Sequence, residues 1–169
     1  RGGDYRVFAD FVPVGGPALT LSANVHVAGK YDPRPLPAVR EVWLVDGYAV
    51  TLRGTPKAGE ASTLTLSVSR DGEAVDDLQR YLGAYGHLVA LRAADLAYLH
   101  VHPLGEPGTT PAGPQIDFRT TFPSVGDYRL FLDFQHRGVV RTAEFTVSVT
   151  DSAPTQSPTA EHREDGHGH

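Results

Sequence analysis

The sequence predicts an all-β protein built around an immunoglobulin-like, antiparallel β-sandwich, and three observations lead to this prediction. The chain contains 18 Gly and 13 Pro residues, which favours many turns between short elements. Apolar and polar residues alternate in segments such as 64–68 and 145–149, the pattern of half-buried strands. Turn residues separate about seven such segments between residues 42 and 149, a number and spacing typical of this fold.

The strand assignments divide the chain into four regions. We predict seven sandwich strands near residues 42–53, 62–70, 86–92, 96–102, 115–122, 127–136 and 139–149. Two earlier strands, 4–12 and 18–28, form a hairpin, and residues 76–82 are expected to form a helical turn. The predicted regions are a hairpin (1–29), a linker (30–41), the sandwich (42–150) and a disordered acidic tail that contains histidines (151–169).

An internal repeat links the hairpin to the sandwich. Residues 3–11 recur as residues 126–134, with seven of nine positions identical. We therefore expect the chain to begin inside one sandwich repeat and to contain a whole second repeat, so that residues 1–29 are the closing hairpin of an incomplete upstream repeat. The alternative is that two unrelated strands happen to share a similar composition.

Four histidines lie at the ends of predicted sandwich strands, and they are candidate metal ligands. His100 and His102 are two residues apart on one strand, so their side chains project to the same face about 6–7 Å apart, a spacing that can chelate one ion. His136 extends the apolar face of its strand to the rim, where the sandwich could bring it near this pair, and His87 begins another strand. Without Cys or Met, a nitrogen and oxygen ligand set favours Cu(II) or Zn(II).

A structural role is the alternative for each of these histidines. Imidazoles in His-x-His pairs often bond loop carbonyls, and His87, directly after a glycine, can simply cap a turn. The tail histidines, His162, His167 and His169, could gather metal loosely, although a solvated charged tail is the simpler interpretation.

The composition disfavours several classes of function. A net charge of −5 and an isoelectric point near 5.9 leave no basic surface for phosphates, so we expect no nucleic-acid partner. A chain without cysteine has no disulfides and no Cys-based metal site. Because the sequence contains no serine nucleophile elbow, no His-Glu-x-x-His motif and no phosphate loop, we do not predict an enzyme.

Segments 81–92, 95–103 and 126–136 resemble a largely uncharacterised family of exported bacterial proteins that is common in actinobacteria. The motifs that carry the resemblance are Gly-His-Leu, which includes His87, His-x-His-Pro, which includes His100 and His102, and Phe-Gln-His, which ends at His136. This family is loosely similar to YtkA-like and copper-resistance sandwich domains. The resemblance implies a heavy-metal role and an extracytoplasmic location, secreted or membrane-anchored through a segment absent from this chain.

Two functional hypotheses follow. In the first, the chain is an extracytoplasmic module that binds Cu(II) or Zn(II) through its strand-end histidines. In the second, the sandwich binds a protein partner in the cell envelope without metal, and its histidines are structural. The sequence leaves the oligomeric state open, although an exposed edge at residues 4–12 could pair with another chain.

Overall fold

A computed structural model describes residues 1–106 and 108–151, and in these residues the chain forms β-strands and no helix. The prediction of an all-β, sandwich-like fold is confirmed. The described residues contain no helix long and apolar enough to cross a bilayer. The strands are β1 (Gly3–Phe11), β2 (Leu19–Val27), β3 (Val42–Val45), β4 (Tyr48–Arg53), β5 (Ala61–Arg70), β6 (Glu73–Ala74), β7 (Gly86–Arg92), β8 (Tyr98–Val101), β9 (Gln115–Thr121), β10 (Gly126–His136) and β11 (Val139–Val149).

The sandwich has two antiparallel layers. One layer has the strand order β11-β10-β7-β8, and in the other β3, β4 and β5 pair in sequence while β9 and the short β6 both pair with β5. Buried side chains from both layers form one hydrophobic cluster, which includes Leu64, Phe118, Leu130 and Phe134, each with no exposed surface. This burial of alternate residues is the main force that holds the layers together.

The connection into β10 carries a feature of immunoglobulin-like domains. The Tyr128 hydroxyl donates a hydrogen bond to the Ser124 carbonyl oxygen at 3.1 Å, four residues upstream in the β9–β10 turn. This arrangement corresponds to the tyrosine corner at the start of the sixth strand of such sandwiches. It fixes the chain as it crosses from one layer to the other.

The predicted strand at residues 42–53 is instead a hairpin, β3–β4. Asp46 and Gly47 form its turn with positive φ angles of 48° and 78°, a conformation that Asp-Gly pairs adopt readily. Apolar residues on both sides of this turn had the pattern of one continuous strand. With the additional short strand β6, the described residues between 42 and 149 form nine strands rather than seven.

The helical turn predicted at residues 76–82 is absent. The Leu78 amide donates to the Ala112 carbonyl oxygen at 2.8 Å, and the Gln79 amide donates to the Gln135 carbonyl oxygen at 2.8 Å. Leu78 is buried, at 3% exposed. Because these amides bond distant segments, the stretch is extended across the end of the sandwich.

The hairpin β1–β2 forms a separate two-stranded sheet that lies against β8. The rings of Phe8 and Tyr98 stack with their centroids 4.8 Å apart, and the Arg6 guanidinium donates to the Asp95 carbonyl oxygen. No strand forms between Val27 and Val42 in the region predicted as a linker. The predicted acidic tail lies outside the described residues, apart from Asp151.

Candidate functional site

The outer face of β8, with the residue that follows its end, presents two histidines side by side. Val101 is 2% exposed and pairs with Leu88, so it points into the core. Because side chains alternate along a strand, His100 and His102 lie on the opposite, outer face. Their ring centroids are 4.7 Å apart, and the His100 side chain is one-third exposed. The structure therefore brings this pair together in a position that solvent can reach.

The hairpin adds a carboxylate, Asp10, which the sequence analysis did not identify. One of its oxygens accepts a short hydrogen bond from the Tyr98 hydroxyl and lies 3.3 Å from His100 Nδ1. The other accepts a hydrogen bond from the Thr20 hydroxyl at 2.5 Å. Asp10 and His100 are 90 residues apart in the chain, so only the docking of the hairpin brings them together.

A cleft of about 400 Å³ lies between the hairpin and β8 at this point. One wall is the end of β1 with the turn that follows, and the opposite wall is β8. The residues that line it are Asp10, Phe11, Val12, Ala18, Leu19, Thr20, His100 and His102, a mixture of apolar residues with one carboxylate and two imidazoles. Such a mixture of an apolar wall and a few polar groups is typical of small-ligand sites.

The surroundings keep Asp10 ionised. Burial opposes its ionisation, but hydrogen bonds from Thr20, Tyr98 and His100 outweigh burial and lower the pKa of its carboxyl below the ordinary value. Burial, followed by the hydrogen bond to Asp10 and its charge, raises the pKa of the Tyr98 hydroxyl. Tyr98 is therefore the proton donor in this contact and Asp10 is the anion.

His136 lies on the inner face of its sheet, at 4% exposed. Its Nδ1 lies 2.8 Å from the Tyr48 hydroxyl, and its Nε2 lies 2.9 Å from a carboxylate oxygen of Asp77 without the alignment of a hydrogen bond. The structure does not bring His136 to the pair on β8, because the sheet separates the two faces.

His87 lies on the outer face but bonds elsewhere. Its Nε2 donates to the Tyr81 carbonyl oxygen at 2.6 Å, and the two rings meet edge to face. The pairing of β7 with β8 ends at Leu88 and Val101, so neither His87 nor His102 is part of it. Among residues 1–106 and 108–151, no three His, Asp or Glu side chains are grouped so as to hold a metal ion. The tail histidines are not among these residues.

A comparison with models of protein families identifies the family of the sandwich domain. Residues 43–151 match the model of a family described as "Domain of unknown function (DUF8832)". The chain belongs to this family. The DUF8832 domain runs from β3 to just beyond β11, so it includes His100 and His102 but not the hairpin that carries Asp10. A search of curated proteins found no match to the chain.

Replacing Tyr98 by Phe in the DUF8832 domain is expected to raise the pKa of Asp10, because the carboxylate loses one of its hydrogen bonds. Carboxyl carbon NMR between neutral pH and about pH 2 measures this titration. Tyr31→Phe, which removes an exposed hydroxyl, is the control. An unchanged Asp10 midpoint in Tyr98→Phe would show that the hydroxyl does not stabilise the anion.

The hydrogen bonds to Asp10 also make the free energy of unfolding depend on pH. The pKa of Asp10 is lower in the folded chain than in the unfolded chain, where aspartate titrates near about 3.9. Its stabilising contribution is therefore complete above that unfolded value and is lost as the pH falls through the lower, folded-state pKa.

Proposed function

We propose that this chain is an extracytoplasmic binding module that holds a divalent ion, Cu(II) or Zn(II), through His100 and His102. The observation that carries the proposal is the placement of the two imidazoles side by side on the outer face of β8, with ring centroids 4.7 Å apart, at the wall of an open cleft. The proposed location outside the cytoplasm depends on the family resemblance and not on the structure.

The donor set suits a borderline metal. Imidazole nitrogen is a common ligand of both Cu(II) and Zn(II), and the ionised Asp10 lies 3.3 Å from His100 Nδ1, which leaves Nε2 of that ring for the ion. Two imidazoles are fewer than the three protein ligands of most catalytic zinc sites, so water would complete the coordination. We therefore expect binding in the micromolar range, as in a site that exchanges its ion.

Binding should also depend on pH in a defined direction. Imidazoles coordinate metal only in their neutral form, and the carboxylate must be ionised, so protons compete with the ion. Affinity is expected to fall on acidification. The contact between His100 Nδ1 and Asp10 orients the ring, in the way that carboxylates support metal-binding histidines elsewhere.

Calorimetric titration of Cu(II) and Zn(II) into the chain tests the proposal. Replacing either His100 or His102 by Ala is expected to weaken binding by about tenfold or more, or about 1.4 kcal/mol, and the double variant should lose the site. His26→Ala is the matched control, because His26 is exposed and pairs with Asp4 at the other end of the hairpin. An equal fall in affinity in His26→Ala would contradict the assignment of the metal site to His100 and His102.

The second candidate function is a metal-free interaction module in the cell envelope. It is favoured by the hydrogen bonds that already engage three of the four strand-end histidines, His87, His100 and His136. Structural imidazoles are expected to be bonded in this way. A folded chain that binds neither ion in the titration would support this second function.

A further inference from the structure

One face of the hairpin β1–β2 is apolar and uncovered. Side chains that alternate along both strands share this face, and those of Tyr5, Val7, Phe11, Leu21 and Val25 remain 41–58% exposed. Single exposed apolar residues are ordinary, but a contiguous apolar face marks a surface that another structure covers. The opposite face of the hairpin already contacts β8 through the ring of Phe8.

The hairpin reproduces the pairing of β10–β11 residue by residue. Tyr5 pairs with Val25 as Tyr128 pairs with Val147. On the other face, the Thr20 hydroxyl donates to Asp10 at 2.5 Å, and the Thr142 hydroxyl donates to Asp133 at the same distance and the same register position. The two hairpins therefore share their register as well as their sequence.

Two further contacts are also duplicated. The Tyr5 hydroxyl donates to the Arg1 carbonyl oxygen at 2.9 Å, which repeats the corner bond of Tyr128 four residues upstream. The Arg6 guanidinium lies 5.8 Å from the ring centroid of Phe8, and the equivalent Arg129 lies 5.3 Å from that of Phe131. The hairpin thus carries the corner of an immunoglobulin-like unit as well as its last two strands.

In β10–β11 the equivalent face is the core of the sandwich. Leu130, Leu132 and Phe134 have no exposed surface there, in one cluster with residues of β4, β5 and β9. We infer that β1–β2 closes a second sandwich, and that its apolar face docks on an antiparallel sheet of the β4-β5-β9 type that belongs to an earlier repeat of the same polypeptide.

The way in which β10–β11 packs on the opposite layer of this domain favours a sheet of an earlier repeat, and not a second copy of the chain, as the partner of the hairpin. Three strands, β4, β5 and β9, cover the β10–β11 face, whereas the same hairpin in a second copy offers two strands. A partner sheet with alternating apolar side chains would bury the hairpin face as the core of this domain is buried. Asp10, on the opposite face, would then lie at the junction between two successive sandwiches.

Thiol reactivity tests the inference, because the chain contains no cysteine and a single introduced thiol reports on one position. Val7→Cys places it within the apolar face, and Val14→Cys places it at the fully exposed turn of the same hairpin as the matched control. Each is made in the 169-residue chain and in the complete product of the natural gene, and its rate of reaction with a disulfide reagent is measured.

In the complete gene product, the thiol at position 7 is expected to react at least about a hundredfold more slowly than the thiol at position 14, since it would react only through local opening. In the 169-residue chain, the two rates should be similar at low protein concentration. Should Val7→Cys not fold, Leu21→Cys on the same face gives the same comparison.

Three results would overturn the inference. Equal rates at the two positions in the complete gene product would mean that no part of the polypeptide covers the face. Protection in the 169-residue chain that grows with protein concentration would assign the face to a second copy. Protection there that is independent of concentration would mean that the chain covers the face by itself.

Discussion

Replacing Phe134 by Ala is expected to lower the free energy of unfolding by about 3–5 kcal/mol, the range for a large aromatic side chain removed from a core. The same replacement of Phe11, at the equivalent position of β1, should cost less than about 1 kcal/mol. Phe134 has no exposed surface, whereas Phe11 is 41% exposed. Because the two residues occupy the same place in nearly identical strands, burial is the main difference between them.

Urea unfolding followed by fluorescence measures both values. The single tryptophan, Trp43, is partly buried against the hydrophobic core, so its emission reports on the sandwich. Equal losses of stability for Phe134→Ala and Phe11→Ala would contradict the assignment of β10–β11 to the core and of the hairpin to an uncovered surface.

Replacing His136 by Ala is expected to lower the free energy of unfolding by about 2–4 kcal/mol. The change leaves a cavity at a side chain that is 4% exposed. It also removes the imidazole nitrogen that lies 2.8 Å from the Tyr48 hydroxyl, which then keeps only its longer contact of 3.4 Å with the Arg70 guanidinium. The imidazole therefore acts as part of the core.

The same urea experiment with His26→Ala is the control, because that histidine is exposed, and its loss should change stability by less than about 0.5 kcal/mol. A loss for His136→Ala as small as that of the control would show that the bond to Tyr48 contributes little. In that case His136 would again be a candidate for a functional role.

Local patterns in the sequence were sufficient to predict most of the fold. Alternation in β5 and β11 predicted half-buried strands. Burial alternates along β5, whereas in β11 the alternation is interrupted at Thr146, which is buried between Phe145 and Val147. The hairpin turn at Asp46 and Gly47 was missed because apolar residues continue on both sides of it. The supposed helical turn failed because tertiary hydrogen bonds to Leu78 and Gln79 decide the backbone there.

The candidate site could be predicted only in part. The spacing of His100 and His102 along one strand requires no knowledge of the tertiary structure, and the two rings do lie together. Asp10 reaches them across 90 residues, a contact that depends on how the hairpin docks. The one sequence signal for Asp10 was its recurrence as Asp133, which forms the same bond to a threonine.

The burial of His136 could not be predicted without knowledge of how the two layers of the sandwich pack. Alternation correctly put it on the apolar face of β10, but whether that strand end opens to solvent depends on what covers it. Tyr48 from the opposite layer packs edge to face against the ring, with centroids 5.6 Å apart. This contact turns a predicted rim position into a buried one.

The most direct test of the proposed metal site is the stoichiometry of Cu(II) and Zn(II) binding to a chain shortened to residues 1–150, which lacks His162, His167 and His169. The proposal predicts one ion per shortened chain, and none for the His100→Ala/His102→Ala variant when it unfolds at the same urea concentration. A folded shortened chain that binds no ion, or equal binding by both proteins, would contradict it.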